Sequence, residues 1–345
     1  MSGTEGTFPK SDDEFLWASE INSMQYKSYD AEKHTWFPVR GDIVPGSLIV
    51  NVIIAHSSSI WTGTELRTTD AGLTWAAETM CTDLSAKNIA KACDANRAYA
   101  MAWDGTTNKI RITSDSGATW ADASTNPPNC SYITSMDFPT TTRAVIWGDA
   151  SSGAGVWYST DGGDNWTQAT GTTNGSVVIG SMYDATNGFA VDDNDTTLYV
   201  SSDGGQTWSD STKEAGTAGS ASGIIIAISA TAYIQHLGGY IWTGTTSASA
   251  SQVCYFIAPD KTSNFLEITN GNIYFTANYT FGGKGIVFLY KSKDNGATWE
   301  RCNLGHMYYY AVDVPITIDE YDTNKIIIPD YSGVMLIDES YGDEV

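Results

Sequence analysis

Basic residues are scarce in this chain. Lys and Arg together number 18 against 40 Asp and Glu in 345 residues, a formal net charge of −22. A chain this acidic is repelled by phosphate backbones and anionic headgroups, so nucleic acid and membrane surfaces are not expected partners. No run of about 18 apolar residues occurs, which excludes a membrane-spanning helix. Cysteines are five (Cys81, Cys93, Cys130, Cys254 and Cys302), an odd number without a CxxC spacing, and they read as buried free thiols. The N-terminus lacks a basic start followed by an apolar core, so it is not a secretory leader, and its Met favours synthesis in a cytoplasm. Helical periodicity is also scarce, whereas Thr, Ser and Gly abound, which places the chain in the all-β class. A hydrophobic content of 41% with 12% aromatics suffices for a sizeable core. Length alone favours two domains, a prior that an internal repeat overrides.

Such a repeat is present. Five segments share one pattern: a hydroxyl residue, any residue, Asp, any residue, Gly, any residue, Thr or Asn, Trp. They are Thr68–Trp75 with Asp70 and Gly72, Thr113–Trp120 with Asp115 and Gly117, Ser159–Trp166 with Asp161 and Gly163, Ser201–Trp208 with Asp203 and Gly205, and Ser292–Trp299 with Asp294 and Gly296. In a tight turn an Asp side chain accepts bonds from backbone N–H groups, and a Gly two positions on supplies the positive φ that lets the turn close. The Trp anchors the strand that follows by burying a large ring. The pattern resembles the Asp-box, or BNR repeat, of sialidase-like β-propellers. That resemblance implies a structural role for the box, joining two antiparallel strands, rather than a catalytic one.

The box Asp residues at 70, 115, 161, 203 and 294 recur about every 45 residues, and the last interval is double. A repeat with a degenerate box is therefore expected near 248, and another beyond 294 whose Gly333–Asp338 strand has no box. The expected fold is all-β: a seven-bladed β-propeller of four-stranded antiparallel blades spanning 23–345. Its last blade lacks an outer strand, which the N-terminus is expected to supply and so remove the open edges. Spacing to the turn at Pro45, Gly46 and Ser47 assigns that strand to about 23–30 and the innermost strand of the first blade to about 35–42. Residues 1–22 form a separate arm with a short helix, and Trp17, Ala18, Ser19, Glu20, Ile21 and Asn22 resemble the beginnings of many phage tail and fibre proteins.

In a propeller, the face opposite the boxes carries the hairpins between second and third strands and the connections between blades. The first set holds His56, Asp104, Asp149, Asp192, Asp193, Asp195, His236, Asp330 and Tyr331. The second holds Asn126, Pro127, Pro128, Asn129, Tyr132, Tyr308, Tyr309 and Tyr310. Asp and Gly are ordinary hairpin residues, so the recurrence on one face weighs more than any single acid. The run Asp192, Asp193, Asn194, Asp195 lacks the Glu and spacing of a Ca²⁺ loop, and no metal or cofactor is expected. Sialidases that share the box use three arginines, an acid and a Tyr–Glu pair. Here six arginines exist (Arg40, Arg67, Arg97, Arg111, Arg143 and Arg301), and Arg40 after Phe37, Pro38 and Val39 is a poor match to the family motif. No Ser/His/Asp or Cys/His nucleophile motif stands out. These readings favour a non-enzymatic, virion or tail-associated propeller that mediates attachment through a protein scaffold or a cell-surface glycan or receptor. The alternative is an extracellular glycan-active hydrolase, sialidase-like or another glycosidase. A third reading, an assembly factor like the photosystem propellers built on the same box, calls for a basic patch that six arginines support poorly.

Overall fold

The computed structural model describes residues 39–40, 53–78, 90–103, 108–171, 178–192, 197–216, 224–237, 240–255, 261–269, 272–281, 284–308, 317–318, 325–330 and 333–338, apart from short gaps at 58, 64–65, 73 and 154. Its strands form seven four-stranded antiparallel sheets, the blades of a β-propeller. No helix of the described residues is long and apolar enough to cross a membrane. The third blade shows the plan: Cys130–Asp137 innermost, then Ala144–Ala150, Val156–Ser159 and Thr167–Gln168 outermost. Innermost strands follow one another around a closed ring. Ile53–Ala55 touches Ala90–Ala92, and contacts continue through Cys130–Asp137, Val178–Met182, Ile224–Ser229 and Lys261–Thr269 to Thr317–Ile318, which returns to Ile53–Ala55.

The core lies in the seams between blades. In the strand Ala144–Ala150, successive side chains point to opposite sheet faces. Ala144, Ile146 and Ala150 therefore pack with Tyr99, Met101 and Ile110 of the second blade. Val145 and Trp147 pack instead with Val178, Ala190 and Tyr199 of the fourth. Both faces are covered, which is why Ala144, Val145, Ile146 and Trp147 are all fully buried and the strand is apolar throughout rather than alternating. Similar seams join the fourth to the fifth blade through Phe189 and Tyr233, and the fifth to the sixth through Ile234 and Phe275. Hydroxyl groups on innermost strands stitch the same seams: Thr134 Oγ1 donates to the Val178 carbonyl (2.5 Å) and Ser135 Oγ to the Gly180 carbonyl (3.1 Å). Cys93 and Cys130 are only partly buried, not fully buried as expected.

An N-terminal strand does complete the last blade. Val39–Arg40 pairs antiparallel with Gly333–Asp338, Val39 opposite Leu336 and Arg40 opposite Met335. The sequence-based assignment was offset: residues 23–30, like the arm at 1–22, lie outside the described residues, and part of 35–42 is the closing strand itself. The innermost strand of the first blade is Ile53–Ala55, and its hairpin runs through Ser57 and Ile60, where the Ile60 carbonyl accepts from the amides of His56 (2.8 Å) and Ser57 (3.3 Å). The spacing instead points to the turn at Pro45 as that hairpin, which displaces the expected strands of this blade. In the fifth blade the degenerate box near 248 proves to be a two-residue turn at Thr246 and Ser247, between Tyr240–Thr245 and Ala248–Tyr255. Because Val39–Arg40 is the strand paired to the outer edge of the last blade, deletion of residues 1–42 is expected to leave that edge open. The melting temperature should then fall sharply; an unchanged value would show that closure by Val39–Arg40 contributes nothing to stability.

Candidate functional site

The boxes are the best-defined polar constellations in the structure, and all five are built alike. The leading hydroxyl (Thr68, Thr113, Ser159, Ser201 or Ser292) donates to the box Asp at 2.7–2.9 Å. It also accepts the amide of the box Gly at 2.8–3.0 Å. The Asp then accepts the backbone amide four residues on, as from Thr74 (2.9 Å) and Asn165 (3.0 Å). Its second oxygen takes that residue's side chain, as from Thr74 Oγ1 (2.5 Å) and Asn165 Nδ2 (2.7 Å). The pattern's Thr or Asn is thereby explained: it must offer a side-chain donor. Two successive residues adopt positive φ, for example Ala71 (58°) with Gly72 (84°). A Cβ at Gly163 would lie 2.6 Å from Tyr99 of the preceding blade, and one at Gly205 would lie 2.7 Å from Val145. The Trp indole drops into the same seam, as Trp166 and Trp208 do.

Arginines complete these clamps from the neighbouring blade. Arg67 Nε donates to the Ser116 carbonyl of the second box (3.0 Å), and Arg97 Nη2 to the Gly162 carbonyl of the third (2.5 Å), which Tyr99 Oη also reaches (2.6 Å). Arg143 lies against Gly204 of the fourth box and over the Tyr158 ring. Arg111, by contrast, donates within its own blade, to the Trp120 carbonyl (2.6 Å). These four arginines are structural partners of the repeat and do not gather into the three-arginine site of sialidases. Of the four, only Arg97 and Arg143 share an equivalent place after a turn in the sequence.

The residues assigned to the opposite face fare unequally. Tyr132 and Asp149 are brought together as cross-strand partners in the third blade, Tyr132 exposed and Asp149 half-buried. Asp192 ends the second strand of the fourth blade, opposite Val178, and is buried. His236 is at the corresponding end in the fifth blade but fully buried, its ring stacked on Phe275 with centroids 5.4 Å apart. His56 belongs to the box face and not to this one. It follows the innermost strand, is fully buried, and faces Gly117 of the second box. Tyr308 and Asp330 close the strands Glu300–Tyr308 and Lys325–Asp330. Asp104, Asp193, Asp195, Tyr309, Tyr310 and Tyr331 lie outside the described residues. Among the described residues no group of three or more His, Cys, Asp or Glu could hold a metal ion. One polar centre had no sequence signal: Asp137, buried at the box-face end of an innermost strand, receives Lys91 from the second blade and the Met182 amide (2.7 Å) from the fourth.

Comparison with known proteins agrees with this architecture. A model of the BNR/Asp-box repeat matches residues 199–210, and the chain is an Asp-box β-propeller. Over 245 residues it is 24% identical to the xyloglucanase Xgh74A of Acetivibrio thermocellus, which covers 68% of this chain and 28% of that protein. The chain thus spans little more than a quarter of the curated relative it matches. Among solved structures, YCF48 bound to D1 peptide superposes with a TM-score of 0.58 at 14% identity, over 88% of this chain and 95% of that one. A Niastella koreensis GH74 enzyme gives 0.54 at 16%, over 87% and 53%. Streptogramin B lyase gives 0.60 at 12%, over 88% and 97%. At such identities the structures establish the fold alone. The curated relative corrects the leading functional expectation, that of a non-enzymatic virion or tail attachment protein: the resemblance along the chain is to a glycan-cleaving enzyme.

Protonation should weaken the protein in two stages. Burial, and then the nearby Arg67 charge, holds His56 down to about 4, and burial alone holds His236 down to about 4. A depressed histidine contributes stability that is complete above its unfolded value of 6.5 and is lost as pH falls through 4. The box acids act lower. At Asp70, Asp115 and Asp294 the hydroxyl of the following Thr is the largest influence and holds the carboxyl below its ordinary value. At Asp161 and Asp203 partial burial pushes upward, and the donors on Asn165 and Thr207 outweigh it. Their contribution is present above 3.8 and is lost below it. The melting temperature is therefore expected to decline from about pH 6.5 downward, with a second decline below about pH 4, and His236→Phe should flatten the first; a profile flat to pH 4 in both proteins would contradict this. Asp161→Ala should destabilise by about 1–3 kcal/mol through the orphaned turn amides, measured by denaturant titration, without altering ligand binding.

Proposed function

We propose that the protein is a glycan-active hydrolase of the xyloglucanase type, working on an extracellular polysaccharide through the face opposite the boxes. The observation that carries this is the 24% identity with Xgh74A over 245 residues. The described site residues support it. Asp149 and Asp192 stand at the same end of the second strands of adjacent blades. Glycoside hydrolysis requires two carboxylates about 5–10 Å apart, and these acids are the described ones on which such chemistry would draw. The third and fourth blades are joined at this end by the Thr134–Val178 bond, which limits how far the two acids can drift. Arg67, Arg97, Arg111 and Arg143 are tied to the boxes and do not supply the anion-binding cluster of a sialidase, which favours a glycosidase of another kind.

Incubation of the purified chain with xyloglucan should release reducing ends. Asp149→Asn or Asp192→Asn, if its carboxylate acts as general acid or base, should lower the rate by about 10²–10⁴-fold while the melting temperature stays close to that of the parent. Absence of reducing-end release from xyloglucan, cellulose and mannan would refute the reading.

A further inference from the structure

A second feature of the same face has a chemistry of its own. Large hydrophobic side chains are seldom exposed among the described residues; Tyr132, at 36%, is one of three, with Tyr183 and Val253. Tyr132 stands near the start of the innermost strand of the third blade, and its cross-strand partner is Asp149. Directly opposed residues of an antiparallel pair project from the same side of the sheet with Cβ atoms about 5 Å apart. The phenol ring and the carboxylate therefore share one patch.

That patch is rigidly held. The pairing shifts register on both sides of Tyr132, between Cys130 and Tyr132 and again between Ile133 and Ser135. Asn129, just before the strand, adopts φ 60°. A Cβ at Gly148 would fall 2.0 Å from the Tyr132 carbonyl, so glycine is required for the two strands to approach this closely. The lead-in is tied down at three points. Trp157 Nε1 donates to the Pro128 carbonyl (2.6 Å), the Ser151 amide to the Asn129 carbonyl (2.8 Å), and Asn129 Nδ2 to Gln168 Oε1 (3.3 Å). Bulges and left-handed non-glycine residues cost energy and persist where the surroundings impose them, commonly at binding sites.

Among the described residues, the exposed ones beside Tyr132 in the strand lead-in and in the hairpin that follows Asp149 are mostly small and polar: Asn129, Ser131, Ser151 and Ser152, with Pro128. Among the described residues an apolar protein partner finds no continuous surface here. A pyranose does, because its C–H face packs on an aromatic ring while its hydroxyls need donors and acceptors. Charge narrows the class. An acid lies beside the ring, the chain carries −22 overall, and Lys109 at this end of the second blade is ion-paired with Asp122 (3.2 Å). A uronate or sialate would meet repulsion.

Building on the hydrolase reading, we infer that Tyr132 and Asp149 form a sugar-binding subsite for an uncharged pyranose unit, in which the Tyr132 ring stacks on the sugar and Asp149 accepts its hydroxyls. Tyr132 is in this sense a positioning residue and not a catalytic one.

The test measures binding of xyloglucan oligosaccharides and of polygalacturonate by calorimetry, with Tyr132→Ala, Tyr132→Phe and the parent chain, alongside reducing-end release. Loss of the ring should weaken xyloglucan binding by about three- to tenfold, Tyr132→Phe should bind like the parent, and polygalacturonate should not bind. Melting temperatures should match throughout, since Tyr132 is not part of the core. Equal affinity in Tyr132→Ala and the parent, with cleavage intact, would overturn the subsite and leave the hydrolase reading standing. Ring-dependent binding without any cleavage would support the subsite and remove the hydrolase reading. Preference for polygalacturonate would overturn the uncharged class.

Discussion

Everything in this ring rests on the seam where one blade presses its box against the blade before it. Two demands meet there. A turn of successive positive-φ residues must be held closed, and a bulky indole must be buried beside it. The box Asp satisfies the first by collecting the leading hydroxyl, a backbone amide and a side-chain donor, as Asp161 does with Ser159 and Asn165. Its glycine meets the second demand halfway, since Gly163 leaves no room for a methyl group beside Tyr99. Once the turn is closed, the carbonyl of the residue before the glycine faces the neighbouring blade. Arg97 and Tyr99 then bind it at Gly162, so a local turn becomes a contact between repeats.

A fold assembled this way carries its stability in nearest-neighbour terms. Strands such as Ala144–Ala150 serve two seams at once, one with each face. The fifth blade has no box and uses a two-residue turn, yet it remains in the ring because Tyr233 and Ile234 pack toward both neighbours. With boxes and first hairpins occupying one face, the opposite face is released from structural duty. Acids and an exposed tyrosine collect there, on the ends of rigid strands, which is where recognition residues are best held.

Several residues were legible from their spacing. The box acids, glycines and tryptophans could be placed from one pattern, and the equivalent positions of Arg97 and Arg143 after a turn hinted at a shared task. His56 could not be placed. Its face depended on which turn closes the first blade, and both Pro45–Ser47 and Ser57–Ile60 are turn-like in composition. A misplacement there moves a residue from one face of the ring to the other, and His56 sits buried against Gly117 on the box side. His236 was assigned to the correct strand end, but its burial against Phe275 comes from a blade forty residues away in the chain.

By itself the sequence determined the repeat, the all-β class, the box chemistry and the need for an N-terminal strand, because each follows from short-range spacing and from local hydrogen-bonding capacity. Only the tertiary structure decided that Val39–Arg40 is that strand, that four arginines belong to the boxes, that Asp137 joins Lys91 to the fourth blade, and that Tyr132 stands exposed beside Asp149. These depend on strand register and on contacts between blades. A one-residue change of register exchanges the two faces of a strand without altering composition, so such pairings are fixed when the seams pack and not before.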